Sequence, residues 1–186
     1  ITLKDILISA RQEAHRMRHY FLGVEHVFIA LLDIKHGLAG IILTQYGLTN
    51  EYVIDAVRRK AGKGSKHRLW AGIPNTPRTE VIFGIAQEIA HDNKRSVINE
   101  RDLLIAIFEE DDSIPSRVLT SLGIDILEIK QKAETVNPSH ISTGTFTRID
   151  ISPNFVGELS HEDNFILRRM FHGYTSIRVE TSLLGG

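Results

Sequence analysis

The chain has 186 residues, no cysteine and a formal net charge of -1, with 42% hydrophobic and 24% charged residues. That balance suits a folded globular protein, and the lack of cysteine excludes disulfides, thiolate catalysis and cysteine-based zinc sites. The absence of cysteine makes a reducing, cytoplasmic setting the expected one; the near-neutral charge offers no basic excess for nucleic acid or an anionic membrane surface, and no apolar run approaches the ~20 residues needed to span a bilayer.

The first segment, ITLKDILISARQEAHRM, is broken by charges too often to be a secretory signal, and without an initiator Met it is expected to start inside a longer protein. Leu3, Ile6, Leu7, Ala10, Ala14 and Met17 recur at helical spacing. Gly23 ends that pattern. A second helix is predicted over 24–34, with Val27, Phe28, Leu31 and Leu32 on one stripe. After Gly37 a short third helix runs over 38–46 and stops at Gly47, which suits a left-handed residue just past a helix end. Thr49 or Asn50 caps a fourth that reaches about Lys60.

The stretch 62–77 is rich in Gly, Pro and basic residues and reads as an exposed linker. It holds the sole tryptophan, Trp70, expected to tack the linker onto a helix surface. Helices are then predicted near 78–94, 99–110, 114–121 and 124–135, with Pro115 in a first turn behind the cap candidate Ser113. Residues 136–150 read as a second linker. The tail 151–186 carries a helical pattern near 158–171 and strand-like alternation at Ile177, Val179 and Thr181. It is either the start of a further domain or an extension that packs on the helices or on another copy of the chain.

The two helical stretches are copies of each other. Shifting residues 4–59 by 76 positions lays them without a gap on 80–135. Ala14-His15 falls on Ala90-His91, Ile29-Ala30 on Ile105-Ala106, Leu43-Thr44 on Leu119-Thr120 and Gly47 on Gly123. Such a register marks a duplicated supersecondary unit. The expectation is an all-α fold of eight helices in two pseudo-symmetric four-helix repeats, 3–60 and 78–135, within a domain spanning 1–135.

Leu22-Gly23-Val24-Glu25-His26-Val27-Phe28 resembles the I-G-T-E-H-L-L turn of the Clp N-terminal repeat domain. The match runs from Ala10-Arg11-Gln12-Glu13-Ala14 through Gly37-Leu38-Ala39 to Leu43 and Gly47-Leu48, and Thr76-Pro77-Arg78 resembles the T-P-R that opens the second repeat of that family. The resemblance implies a domain at the front of a Clp/Hsp100 AAA+ unfoldase. It implies partners that are protein substrates, adaptor proteins or peptides bearing phosphorylated arginine, with no catalytic residues, no metal and no cofactor. Glu25, His26, Thr76 and Arg78 are the binding candidates it implies.

The second copy departs from that pattern. It reads Ile98-Asn99-Glu100-Arg101-Asp102, so Arg101 stands where the first copy has Glu25. Two inequivalent halves are expected, with the Arg101 side rejecting a guanidinium by like-charge repulsion. Nothing in 136–186 resembles the approach to an AAA+ module, which keeps a rival open: the sensor or scaffold domain of a bacterial multidomain signalling or conflict protein.

Glu25 in a helical first turn is a ligand candidate, because a carboxylate takes a guanidinium bidentately beside backbone N–H groups that suit a phosphate. The helix macrodipole favours a carboxylate there anyway, by about 0.3–1 kcal/mol, and both roles stay open. His26 reads as a packing histidine with one ring nitrogen satisfied. His15 and His19 are four apart but lack a third ligand, and read as a surface pair. Glu109-Glu110-Asp111-Asp112 lacks the alternating spacing of a calcium loop, and Gly62-Lys63-Gly64-Ser65-Lys66 is no Walker sequence.

Overall fold

A computed structural model describes residues 2–65, 72–110 and 112–136. Among them are eight helices and no extended strand: α1 (Leu3–Arg16), α2 (Val24–Leu32), α3 (Leu38–Thr44), α4 (Asn50–Ala61), α5 (Pro77–Asp92), α6 (Glu100–Glu109), α7 (Ile114–Ser121) and α8 (Ile126–Thr135). The chain divides into two units, Ile1–Pro138 and Ser139–Gly186, and all eight helices belong to the first. Trp70 and the expected linker and tail from 137 onward lie outside the described residues.

Side-chain caps explain most starts. Thr2, Thr49, Thr76, Asn99, Ser113 and Asp125 each accept a backbone N–H from the first turn of the helix that follows. Pro77 and Pro115 sit in first turns, where their missing N–H costs nothing. Gly47 and Gly123 follow α3 and α7 with φ of 71° and 80°, in the left-handed region. α2 and α3 each end two residues before the expected positions. After α2 the chain turns through His36, at φ 58°. α8 begins at Ile126 because Asp125 caps it, leaving Ile124 as a buried entry residue.

The packing has a pseudo-twofold pattern. α1 lies on α2 as α5 lies on α6, and α2 on α4 as α6 on α8. The halves then cross, with α4 against α7 and α8 against α3. α2 and the 102–108 stretch of α6 occupy the middle and are buried on nearly every side, the mark of helices enclosed by others. Phe28 and Phe108 meet edge to face across this seam, ring centres 5.6 Å apart. The void beside them, lined also by Leu104, Leu119 and Ile129, holds only about 10 Å³, so the seam is close-packed. Ala14 and Ala90 are both buried, which lets α1 and α5 approach their neighbours closely.

Two connections position the site. α1 and α5 end alike: Arg18 and Lys94 take left-handed φ of 61° and 56°, and His19 and Arg95 send their N–H groups back to Ala14 and Ala90 at 2.8 and 2.9 Å. The linker is tied to the α1–α2 turn at both ends. Gly64 N–H donates to the Met17 carbonyl at 2.9 Å, Leu22 N–H to Pro74 at 2.8 Å and Thr76 N–H to Leu22 at 2.9 Å.

Candidate functional site

The site forms where the α1–α2 turn enters α2. Gly23 is the N-cap and has no side chain to cap the helix. A Cβ there would fall 2.4 Å from both Glu25 carboxylate oxygens, so glycine is what lets that carboxylate fold back over the helix start. The helix end is closed instead by His26, whose Nδ1 accepts the Gly23 N–H at 2.9 Å. The His26 ring is fully buried, and its Nε2 lies 2.8 Å from Nδ1 of His19. Burial lowers the His26 pKa from its ordinary value, against the pull of the Glu25 charge.

These contacts fix the tautomers. Because Nδ1 of His26 accepts from the backbone, the neutral ring carries its proton on Nε2 and donates it to His19. The neutral His19 ring then bears its own proton on Nε2. Both nitrogens of His26 are thus engaged, one more than the sequence suggested. His19 is not a helix-surface partner of His15. It lies beyond the end of α1, half-buried against His26.

His19, Glu25 and His26 bring ligand atoms within 4.8 Å of one another. The tautomers argue against a metal there. A neutral His26 could offer Nε2 to a metal only with its proton on Nδ1, facing the Gly23 N–H donor to donor. Three ligands would therefore cost the cap of α2. The available chemistry is that of the Glu25 carboxylate, whose side chain is 17% exposed. Oε1 lies 3.6 Å from His26 Nδ1 and 4.0 Å from His19 Nδ1. No Lys or Arg among the described residues pairs with it. It can accept a cationic N–H group at a helix start whose N-cap, Gly23, has no side chain of its own to cover the first-turn N–H groups.

The other candidates are engaged structurally. The Thr76 hydroxyl accepts the Thr79 N–H at 3.2 Å and caps α5, while the Thr79 hydroxyl donates to the Leu22 carbonyl at 2.9 Å. Arg78 reaches toward the α6–α7 connection: Nε is 3.1 Å from Glu110 and NH1 donates to the Asp112 carbonyl at 3.0 Å.

The second copy fills the equivalent places with different chemistry. Arg95 and Asp102 stand 76 residues beyond His19 and His26 and form a bidentate ion pair at 2.6 Å for both bonds. Arg101 is not the free, repelling guanidinium expected opposite Glu25. It donates to the carbonyls of Ala133, Glu134 and Val136, closing the C-terminal end of α8. Neither side-chain pair follows from local motifs. The signal that would have found both is the repeat register itself, because positions 19 and 26 change together to 95 and 102, His-His becoming Arg-Asp.

Known proteins resemble the chain over its helical region. A probable ATP-dependent Clp protease ATP-binding subunit of Chlamydia pneumoniae is 29% identical over 129 residues, covering 69% of this chain and 15% of that one. The chloroplastic chaperone protein ClpC of Pisum sativum is 29% identical over 125 residues, covering 67% and 13%. The chain therefore spans about a seventh of the length of these relatives. Among solved structures, the N-terminal domain of ClpD from Arabidopsis thaliana superposes with TM-score 0.53 at 20% identity, covering 70% of this chain and 88% of that one. The Hsp104 N-terminal domain from Candida albicans gives 0.50 at 17% identity, covering 72% and 87%. These likenesses show the fold. The model of the Clp repeat (R) N-terminal domain matches residues 2–122, and the chain belongs to that family.

Proposed function

We propose that this domain is a non-catalytic peptide- and protein-binding module that presents substrates or adaptor proteins to a Clp-type ATP-dependent unfoldase. We further propose that Glu25 anchors a guanidinium on the partner, including that of a phosphoarginine. The observation that carries this reading is the asymmetry between Glu25 and Arg101. Glu25 is partly exposed and unpaired by any described cation, whereas its counterpart is held by three carbonyls. A carboxylate beside the first-turn N–H groups of α2 offers one partner for a guanidinium and another for a phosphate. His26 supports the site from behind by holding the turn.

Calorimetric titration of a phosphoarginine peptide and its unmodified twin tests it. One site is expected, lost in Glu25→Ala with the helical circular dichroism unchanged. Two equal sites, or binding indifferent to Glu25, would defeat the reading. No binding of either peptide would leave the domain meeting its partner through another surface, as the sensor or scaffold alternative requires.

A further inference from the structure

We propose that the pocket between the C-terminal ends of α1 and α4 binds an acidic peptide segment. It holds about 460 Å³ and is lined by Glu13, Arg16, Met17, Arg58, Arg59, Gly62 and Lys63. Four cations thus face one carboxylate. Glu13 is 3% exposed, and it organises the cations rather than neutralising the pocket. Arg58 grips both of its oxygens, Nε at 2.7 Å and NH2 at 3.0 Å, and Arg16 NH1 adds a contact at 3.1 Å. One buried carboxylate therefore fixes two guanidinia side by side. Asp55 approaches Arg58 at 3.5 Å from outside the lining. Arg59 and Lys63 have no ion-pair partner among the described residues.

Cations near helix C-termini are favoured by the macrodipole, but that general effect does not explain this set. The same helix ends occur in the second copy, and there the positions of Glu13, Arg16, Arg58 and Arg59 hold Ile89, Asp92, Glu134 and Thr135. The fold builds those ends without a single cation from the set, so the first copy carries something the helices do not need. Guanidinium forks suit carboxylates. The volume lies within the range of pockets that take a drug-sized ligand. A short run of Asp or Glu side chains on a partner satisfies both. Glu25 does not line this pocket, so the two sites are separable.

The test uses the full chain and a fluorescein-labelled hexaglutamate peptide at low ionic strength, read by fluorescence polarisation. One saturable site is expected, weakening as sodium chloride is raised and the Debye length contracts. Arg59→Glu with Lys63→Glu should weaken it by about tenfold, from the loss of two exposed charge contacts. Both side chains are exposed and outside the Glu13 network, and circular dichroism checks that the double variant stays folded. Glu25→Ala should bind hexaglutamate unchanged. Absence of saturable binding, or full affinity in the double variant, overturns the proposal. So does loss of binding in Glu25→Ala, which would put the peptide at the other site. Inorganic phosphate should compete weakly, and phosphate displacing hexaglutamate at equal concentration would make the ligand a phosphoryl group instead.

Discussion

His26 and Asp102 do one job with opposite chemistry. Each reaches back to take the backbone N–H of its own helix N-cap, His26 from Gly23 and Asp102 from Asn99, both at 2.9 Å. Each is also held by the residue seven positions earlier, His19 in one case and Arg95 in the other. The first copy closes its helix with a neutral ring and the second with an ion pair. Only the first leaves beside it a carboxylate with no hydrogen-bond donor among the described residues, since Glu100 in the second accepts the Ala39 N–H.

The neutral ring makes the first copy sensitive to acid. Burial lowers the pKa of His26 below its ordinary 6.5, so the folded state binds this proton less readily than the unfolded chain. Its contribution to stability is complete above 6.5 and is lost as pH falls through the lowered value. His26→Asn keeps an acceptor for the Gly23 N–H and cannot titrate. Urea midpoints at about pH 7.5 and about pH 5.5 should differ more in the native protein than in the variant. Equal differences would refute a neutral, titrating His26.

Arg101→Ala should destabilise the domain by about 1–3 kcal/mol, since a charged donor to three carbonyls is lost at the end of α8. Amide exchange should quicken in the last turn of α8 and spread little further. Unchanged exchange and an unchanged urea midpoint would show that those contacts contribute nothing.

Gly23→Ala separates binding from folding. Gly23 has a φ of -94°, which any residue adopts, so the backbone is not strained. The new methyl would occupy the place of the Glu25 carboxylate, which must swing away. Stability should fall by no more than about 1 kcal/mol, the cost of alanine at an N-cap. Affinity for an arginine peptide should fall by about tenfold. Calorimetry showing full affinity would mean that the folded-back placement is not the one a ligand meets.

Glu100 links the halves by accepting the Ala39 N–H at 3.4 Å, at the start of α3. Burial raises its pKa from 4.5, against the backbone hydrogen bonds that lower it. The folded state therefore holds this proton more tightly than the unfolded chain. The associated stability is present below 4.5 and lost as pH rises through the raised value. Glu100→Gln keeps an acceptor and removes the titration. Thermal melting across the acidic range should show a shallower decline above 4.5 in the variant, and parallel curves would count against it.

The helices were legible because duplication supplies two readings of one pattern. Caps at Thr49 and Ser113 and stops at Gly47 and Gly123 are local signals, and the apolar stripes of α2 and α6 repeat in step. The site was legible only in part. Glu25 announced itself by its place in a first turn. Its surroundings did not, because His19 reaches His26 through a left-handed residue at Arg18, and arginine carries no preference for that conformation. The Glu13–Arg58 pair joins helices 45 residues apart, beyond any local pattern.

Phe28 and Phe108 occupy different places in the duplicated pattern: Phe28 corresponds to Leu104, and Phe108 to Leu32. The two halves have exchanged one bulky and one slender side chain, so each is shaped to its sister rather than to itself. Were the chain cut between the repeats, two first halves brought together about the same axis would set Phe28 against Leu32 twice. Total volume would be conserved, but the edge-to-face contact, worth about 0.5–1.5 kcal/mol, would vanish. Mixed fragments would therefore sort into unlike pairs by several-fold. The ancestral symmetry has become a lock and key within one chain, and the duplication can no longer be undone by simple halving.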